Sequence, residues 1–257
     1  MLMTILAIIP TLNDDPTKTV ESILMQSVEV SKIIVGIGSK TLYAKLLSHG
    51  LERTEYVYVK PDFRQPLGIR VGAAINTVLS KENLKKYDYI LKVDAEVTLP
   101  KNFVEENLRE KPDFIASGGT AMVFKTYPFL EMGGKYPETP ELDDTYLSLQ
   151  FLSKGYTVKR WVCPPEIKAR KKGHHNSRHH IRVGIEWYKL GYEPIHVLYA
   201  LQPMAQGILK GKLMMELFLR VSWYFLAVLK RIERYEFAPW VFMMQVRRLI
   251  YGRQFKY

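Results

Sequence analysis

The chain has 257 residues and a mass of 29.9 kDa, room for one large α/β domain with an appendage but not for two independent enzymes. Apolar residues make up 47% and charged residues 25%, which excludes a disordered or fibrous chain. The net charge of +11 is segregated: residues 1–158 carry 18 Lys/Arg against 20 Asp/Glu, and residues 159–257 carry 19 against 6, a C-terminal footprint for a polyanion such as nucleic acid, anionic lipid or a phosphorylated carrier.

The apolar run at 4–9 (TILAII) predicts a strand buried on both faces. It lacks the basic flank and small-residue cleavage site of a signal peptide and stops at Pro10, so none is expected. Asn13, Asp14 and Asp15 before Pro16 start a helix running to about Ser27. A strand at Ser31–Ile37, a helix at Leu42–Ser48, a strand at Glu55–Val59, a helix at Ile69–Leu79 and a strand at Tyr87–Val93 follow, and this alternation predicts βαβ units on a largely parallel sheet. The rhythm then changes, with a helix from Leu99 to about Arg109, strands near Phe114–Ala116 and Thr120–Phe124, a helix at Asp143–Lys154 stopped by Gly155, and a last strand at Tyr156–Trp161. Residues 164–182 read as a basic, His-rich loop, and residues 183–257 as helical. The single cysteine, Cys163, makes no internal disulfide and fits a reducing cytosol.

Two acidic constellations carry chemistry. Asp94-Ala95-Glu96 follows a strand directly, where open α/β sheets bind ligands, and two carboxylates one residue apart can share a divalent cation that bridges a diphosphate. The same pattern also occurs as a plain solvated strand end. Glu141, Asp143 and Asp144 cluster at a helix N-terminus; helix capping accounts for Asp143, and a carboxylate held there can serve as a general base toward a hydroxyl. Gly36-Ile37-Gly38-Ser39-Lys40-Thr41 is neither a dinucleotide fingerprint nor a Walker A loop. His174, His175, His179 and His180 lack the cysteine partners of a structural zinc site and read as part of an exposed basic loop.

In order along the chain, ILAIIPTLN with SILMQS, PLGIRVGAAIN, the acidic triplet at 94, EMGGKYPE and DDTYLSLQFLSKGY resemble the motifs of family 2 glycosyltransferases of the GT-A fold, over about residues 4–160. The resemblance implies a Rossmann-like α/β domain over 1–163, with a mixed, mostly parallel sheet flanked by helices and followed by a C-terminal helical extension. It implies that Pro10, Thr11 and Asn13 line the nucleotide site with Gly68, Arg70 and Asn76 nearby, that Asp94 contacts the nucleotide-sugar, and that Asp94 and Glu96 hold Mn²⁺ or Mg²⁺. Asp144 becomes the base of an inverting transfer from a UDP- or GDP-linked sugar, and His174 or His175, with His175 preferred, completes the metal site. Arg170, Lys171 and Lys172 are candidate phosphate clamps. Three positions depart from the pattern: Val35-Gly36-Ile37-Gly38-Ser39 replaces paired aspartates, Glu96 replaces Asp, and Gln150 stands where the family has Arg.

The tail interleaves aromatics with Lys230, Arg231, Arg234, Arg247, Arg248 and Arg253, a pattern suited to a membrane interface. Its most apolar window, 213–229, is interrupted by Glu216 and Arg220, so it is expected to lie on a membrane, at the cytoplasmic face, rather than to cross it. A glycan or polyprenyl-phosphate-linked acceptor gives that reading a purpose. The alternative is a helical cap on the core, or a surface joining two copies in a homodimer. A non-catalytic nucleotide-binding scaffold is the competing function. No nucleic-acid-binding motif is present.

Overall fold

The computed structural model describes residues 3–48, 50–116, 118–167, 177–199, 201 and 211–251. The chain divides into two compact units, one of Met1–Thr139 with Asp143–Lys172, the other of Pro140–Leu142 with Gly173–Tyr257.

The first unit holds strands β1 (Ile5–Thr11), β2 (Lys32–Ile37), β3 (Thr54–Tyr58), β4 (Tyr89–Val93), β5 (Val97–Thr98), β6 (Phe114–Ala116), β7 (Ala121–Lys125), β8 (Val158–Lys159) and β9 (Glu166–Ile167). Its helices are α1 (Thr17–Leu24), α2 (Lys40–Leu47), α3 (Leu67–Leu79), α4 (Phe103–Leu108), α5 (Thr126–Glu131) and α6 (Asp143–Ser153). Seven strands form one sheet in the order β3-β2-β1-β4-β7-β6-β8. β1 to β4 run parallel, β7 is antiparallel to both β4 and β6, and β8 is parallel to β6. The change of rhythm after Val93 is this switch to antiparallel pairing. β5 and β9 pair separately.

Successive side chains of a strand point to opposite faces, and here both faces are covered. Ile5, Ala7 and Ile9 pack with Val20 and Ile23 of α1, Leu42 of α2 and Phe103 of α4. Leu6 and Ile8 pack with Ile75 and Val78 of α3, Phe129 of α5 and Leu147 and Phe151 of α6. Continuous apolar runs such as LAII therefore form strands here because neither face meets water.

The second unit contains α7 (Ser177–Lys189), α8 (Pro194–Tyr199), α9 (Lys212–Leu229) and α10 (Ala238–Tyr251) around Tyr188, Val197, Val221, Tyr224 and Ala227. The helices α7 and α9 cross so closely that a methyl group on Gly184 would lie 2.1 Å from the Arg220 carbonyl oxygen, so only glycine fits there. Among the described residues no helix is long and apolar enough to cross a membrane.

The expected loop at 164–182 is corrected on both sides. Glu166–Ile167 pair with β5, and helix α7 begins at Ser177. The buried stripe of α7 is His180, Val183, Gly184 and Tyr188, a helical spacing whose first and third members are types that a composition-based reading assigns to loops. His180 is 2% exposed, which removes it from any exposed loop. His174, His175, Arg170, Lys171 and Lys172 lie outside the described residues.

Candidate active site

The acidic triplet leaves the carboxyl end of β4 in a turn fixed on two sides. The Asp94 N–H donates to the Thr120 carbonyl at 2.8 Å, and the buried Thr19 hydroxyl donates to the Ala95 carbonyl at 2.7 Å, tying the turn to α1. Asp94 and Glu96 are both half-buried. Lys92 shares a sheet face with Asp94, two residues along the strand, and its ammonium donates to Asp94 Oδ1 at 2.7 Å and to the Gly119 carbonyl.

Asp143 and Asp144 open α6, where the helix dipole favours carboxylates. The Tyr136 hydroxyl, on a fully buried side chain, donates to Asp143 Oδ2 at 2.6 Å. Burial and the adjacent Asp143 carboxylate hold the phenol well above its ordinary range, and the charges of Asp94 and Asp144 push the same way. Burial raises the Asp144 carboxyl, the neighbouring Asp143 charge raises it further, and the Thr145 N–H and the Lys92 ammonium oppose the shift. Gly119 packs on the same group: a methyl added to it would sit 3.8 Å from Asp144 Cγ. Asp94 and Asp144, some fifty residues apart in sequence, thus meet around Lys92, Gly119 and Tyr136.

The remaining expected residues distribute unevenly. Pro10 and Thr11 end β1, one strand from β4; Pro10 is buried, and the Thr11 hydroxyl donates to the Asp14 carbonyl at 2.7 Å. Asn13 is exposed on the following turn. Gly68 lies in the first turn of α3, and Arg70 places its guanidinium 5.4 Å from the Phe63 ring, with a buried Nε that has no hydrogen-bond partner among the described residues. Asn76 is committed to the protein itself. It accepts from the Tyr136 N–H at 2.8 Å and donates to the Tyr136 carbonyl and to Glu138 Oε1, each at 2.9 Å. Gly133 and Gly134 before it, at φ +97 and +63, make the turn that brings Tyr136 there. Glu141, in the helical unit, is bound by Arg182 Nε at 2.9 Å and His179 Nδ1 at 3.0 Å.

Sequence reasoning missed Lys92 and Tyr136. The signal for Lys92 was a charged residue inside an otherwise apolar strand, YILKV, a place where lysine is almost never found unless paired.

Mg²⁺ and Mn²⁺ take hard oxygen donors, commonly one or two protein carboxylates with substrate phosphates completing the shell. Asp94 and Glu96 supply that kind of donor set. Among the described residues no three His, Cys, Asp or Glu side chains gather into a group that could hold a metal ion.

Parallel β1 to β4 are followed by β7, antiparallel to its neighbours β4 and β6, and the acidic triplet follows the end of β4. The fold is α/β, a mixed, mostly parallel seven-stranded sheet flanked by helices. Solved structures with similar folds include S. aureus TarS, 11% identical over 76% of this chain with a TM-score of 0.49; this chain covers 41% of TarS, less than half its length. Glucosyl-3-phosphoglycerate synthase from Mycobacterium tuberculosis, in complex with Mn²⁺, UDP and phosphoglyceric acid, is 13% identical over 65% of this chain and 72% of its own, with a TM-score of 0.47. 4-Diphosphocytidyl-2C-methyl-D-erythritol synthase from Anaerococcus prevotii is 12% identical over 62% of this chain and 86% of its own, with a TM-score of 0.42. At these identities the likeness is one of fold alone. No protein-family model and no curated protein sequence matches the chain.

Proposed function

We propose that this protein transfers a hexose, with inversion, from a UDP- or GDP-linked sugar to an acceptor hydroxyl on a glycan or a polyprenyl-phosphate-linked carrier. The observation that carries this reading is the meeting of Asp94, at the end of β4, with Asp144, at the start of α6, around one buried lysine and one buried tyrosine.

Asp144 is the base. Its elevated carboxyl retains a proton more firmly than an ordinary aspartate, which suits it to take the acceptor hydroxyl proton as that oxygen attacks the anomeric carbon. The glycosidic C–O bond to the diphosphate breaks in the same step, and the electron pair leaves with the nucleotide. Asp94 and Glu96 would hold Mn²⁺ or Mg²⁺, with His175 as a further ligand, and the cation when bound supplies Lewis-acid neutralisation of the leaving diphosphate. Pro10, Thr11 and Asn13 border the nucleotide, and Arg70, whose buried Nε has no hydrogen-bond partner among the described residues, serves the donor with Gly68 nearby. Asn76 serves the site by holding Tyr136.

In this reading the helical unit docks on the cytoplasmic face of a membrane. Support comes from the exposed side chains Leu213, Met215 and Phe218 of α9 and Phe242, Met243 and Ile250 of α10, on a part of the chain with a large basic excess. Co-sedimentation with anionic but not neutral vesicles, weakened by salt, is expected; a stable dimer that ignores vesicles would replace the membrane by a second copy.

The enzyme assay is transfer or donor hydrolysis with UDP- and GDP-sugars in the presence and absence of Mn²⁺. Asp144→Asn is expected to keep donor binding and lose transfer, and Asp94→Ala to lose cation-dependent turnover. Undiminished transfer in Asp144→Asn would remove the base, and with it this mechanism.

A further inference from the structure

Every residue of β4, including Lys92, is buried. Its neighbours in register are Ile8 on β1 and Met122 on β7, so an apolar side chain would satisfy the packing. The Lys92 side chain is 4% exposed, and its ammonium is placed against the Asp94 carboxylate and the Gly119 carbonyl. A cation enclosed in this way is compensated by its partners and adds nothing to the apolar core.

We propose that Lys92 is a positioning residue that acts as a fixed counter-ion to Asp94, weakening the grip of the acidic triplet on a divalent cation so that the cation is held firmly only together with a nucleoside diphosphate. The inference rests on the reading of Asp94 and Glu96 as cation ligands. An ammonium 2.7 Å from one oxygen of Asp94 fixes the carboxylate and also repels any divalent ion the same group ligates. A diphosphate brings the negative charge that reverses this balance. The metal then enters and leaves with the nucleotide, and the free protein keeps little of it.

The test is direct Mn²⁺ binding to the full chain, read as loss of the free-ion electron paramagnetic resonance signal, with and without UDP. Wild type is expected to bind Mn²⁺ weakly alone and far more tightly with UDP. Removing the charge in Lys92→Met is expected to tighten binding of Mn²⁺ alone by about tenfold or more, given two like charges a few ångströms apart in a partly solvated site. UDP then adds less than it does in wild type. A lysine that merely supports the strand predicts the opposite, because a loosened Asp94 binds no better. Unchanged or weaker Mn²⁺ affinity in Lys92→Met overturns the proposal. Should that variant fail to fold, Lys92→Gln, uncharged but able to donate to the Gly119 carbonyl, is held to the same outcome. Asp94→Asn separates the two levels: if it binds Mn²⁺ with UDP as wild type does, the cation site itself is misassigned and the Lys92 inference falls with it. If it loses binding, the site stands and the Lys92 variants alone decide.

Discussion

Asn76→Ala tests whether the middle of α3 serves the nucleotide directly or through Tyr136. In the structure the Asn76 amide accepts from the Tyr136 N–H and donates to the Tyr136 carbonyl and to Glu138, at 2.8 to 2.9 Å. Tyr136 is fully buried, so truncation strands one main-chain donor and one acceptor away from water. Each stranded group costs about 1–3 kcal/mol, and because Asn76 is itself half-buried, some water can return; a total of about 2–4 kcal/mol follows. For a chain of this size that corresponds to a fall in melting temperature of about 5–15 °C. Tyr136 donates to Asp143, the neighbour of the proposed base Asp144, so kcat is expected to fall more than donor KM rises. Thermal unfolding with and without nucleotide, beside steady-state kinetics, reads both quantities. A variant as stable as wild type with a selectively raised donor KM would refute the clamp and make Asn76 a donor ligand instead.

Three further outcomes are expected. Asp15 is held at about 2, first by its hydrogen bond from Lys45 and then by those from Thr17, and Lys45→Met should raise it toward 3.8, as followed by carbon-detected NMR titration. Since that carboxyl is depressed in the folded state, its small contribution to stability is present above the unfolded value of 3.8 and is lost as pH falls toward 2; solvent screening of the exposed Lys45 pair keeps it minor. Asp144 has the opposite sign: its raised carboxyl means that ionisation opposes folding, fully so above its folded pKa and not at all below 3.8. The acid limb of kcat/KM should therefore lie above the ordinary aspartate range, Asp143→Asn should move it down, and Asp144→Asn should unfold at a higher temperature than wild type at neutral pH. Gly184→Ala, whose new methyl would meet the Arg220 carbonyl oxygen at 2.1 Å, should force α7 and α9 apart and destabilise the helical unit by about 3 kcal/mol or more, detected as early proteolysis within residues 177–251.

What could be read from the chain and what could not separate on physical grounds. Buried parallel strands are short apolar runs, so β1, β2 and β4 were visible at once, and the acidic residues that end β4 and begin α6 were visible as charges placed where apolar patterning stops. The start of α7, residues 177–182, was hidden because its buried position is His180, packed beside Arg220, in a run of basic and His residues that gives no apolar signal. The role of Asn76 was hidden for a related reason. Its position on α3 could be inferred, but the direction of its amide depends on a segment sixty residues away whose path is set by the turn at Gly133 and Gly134. Lys92 stood in plain view as the one charge in YILKV, yet periodicity treats a single interruption as noise, while the folded chain makes it the link between two carboxylates.

The position of that lysine also bears on how such a site can be assembled at all. Asp144 sits in desolvated surroundings beside the Asp143 charge, and both effects resist its ionisation. A lysine built into the strand gives Asp94 its charge partner through folding itself, and Tyr136 gives Asp143 a neutral donor. For Asp144, the groups that oppose its burial are those of Thr145 and the more distant Lys92 charge, and burial with the Asp143 charge outweighs them. A carboxyl whose burial is poorly compensated gains by accepting a proton, and this is what fits Asp144, in the first turn of α6, to the role of base proposed for it.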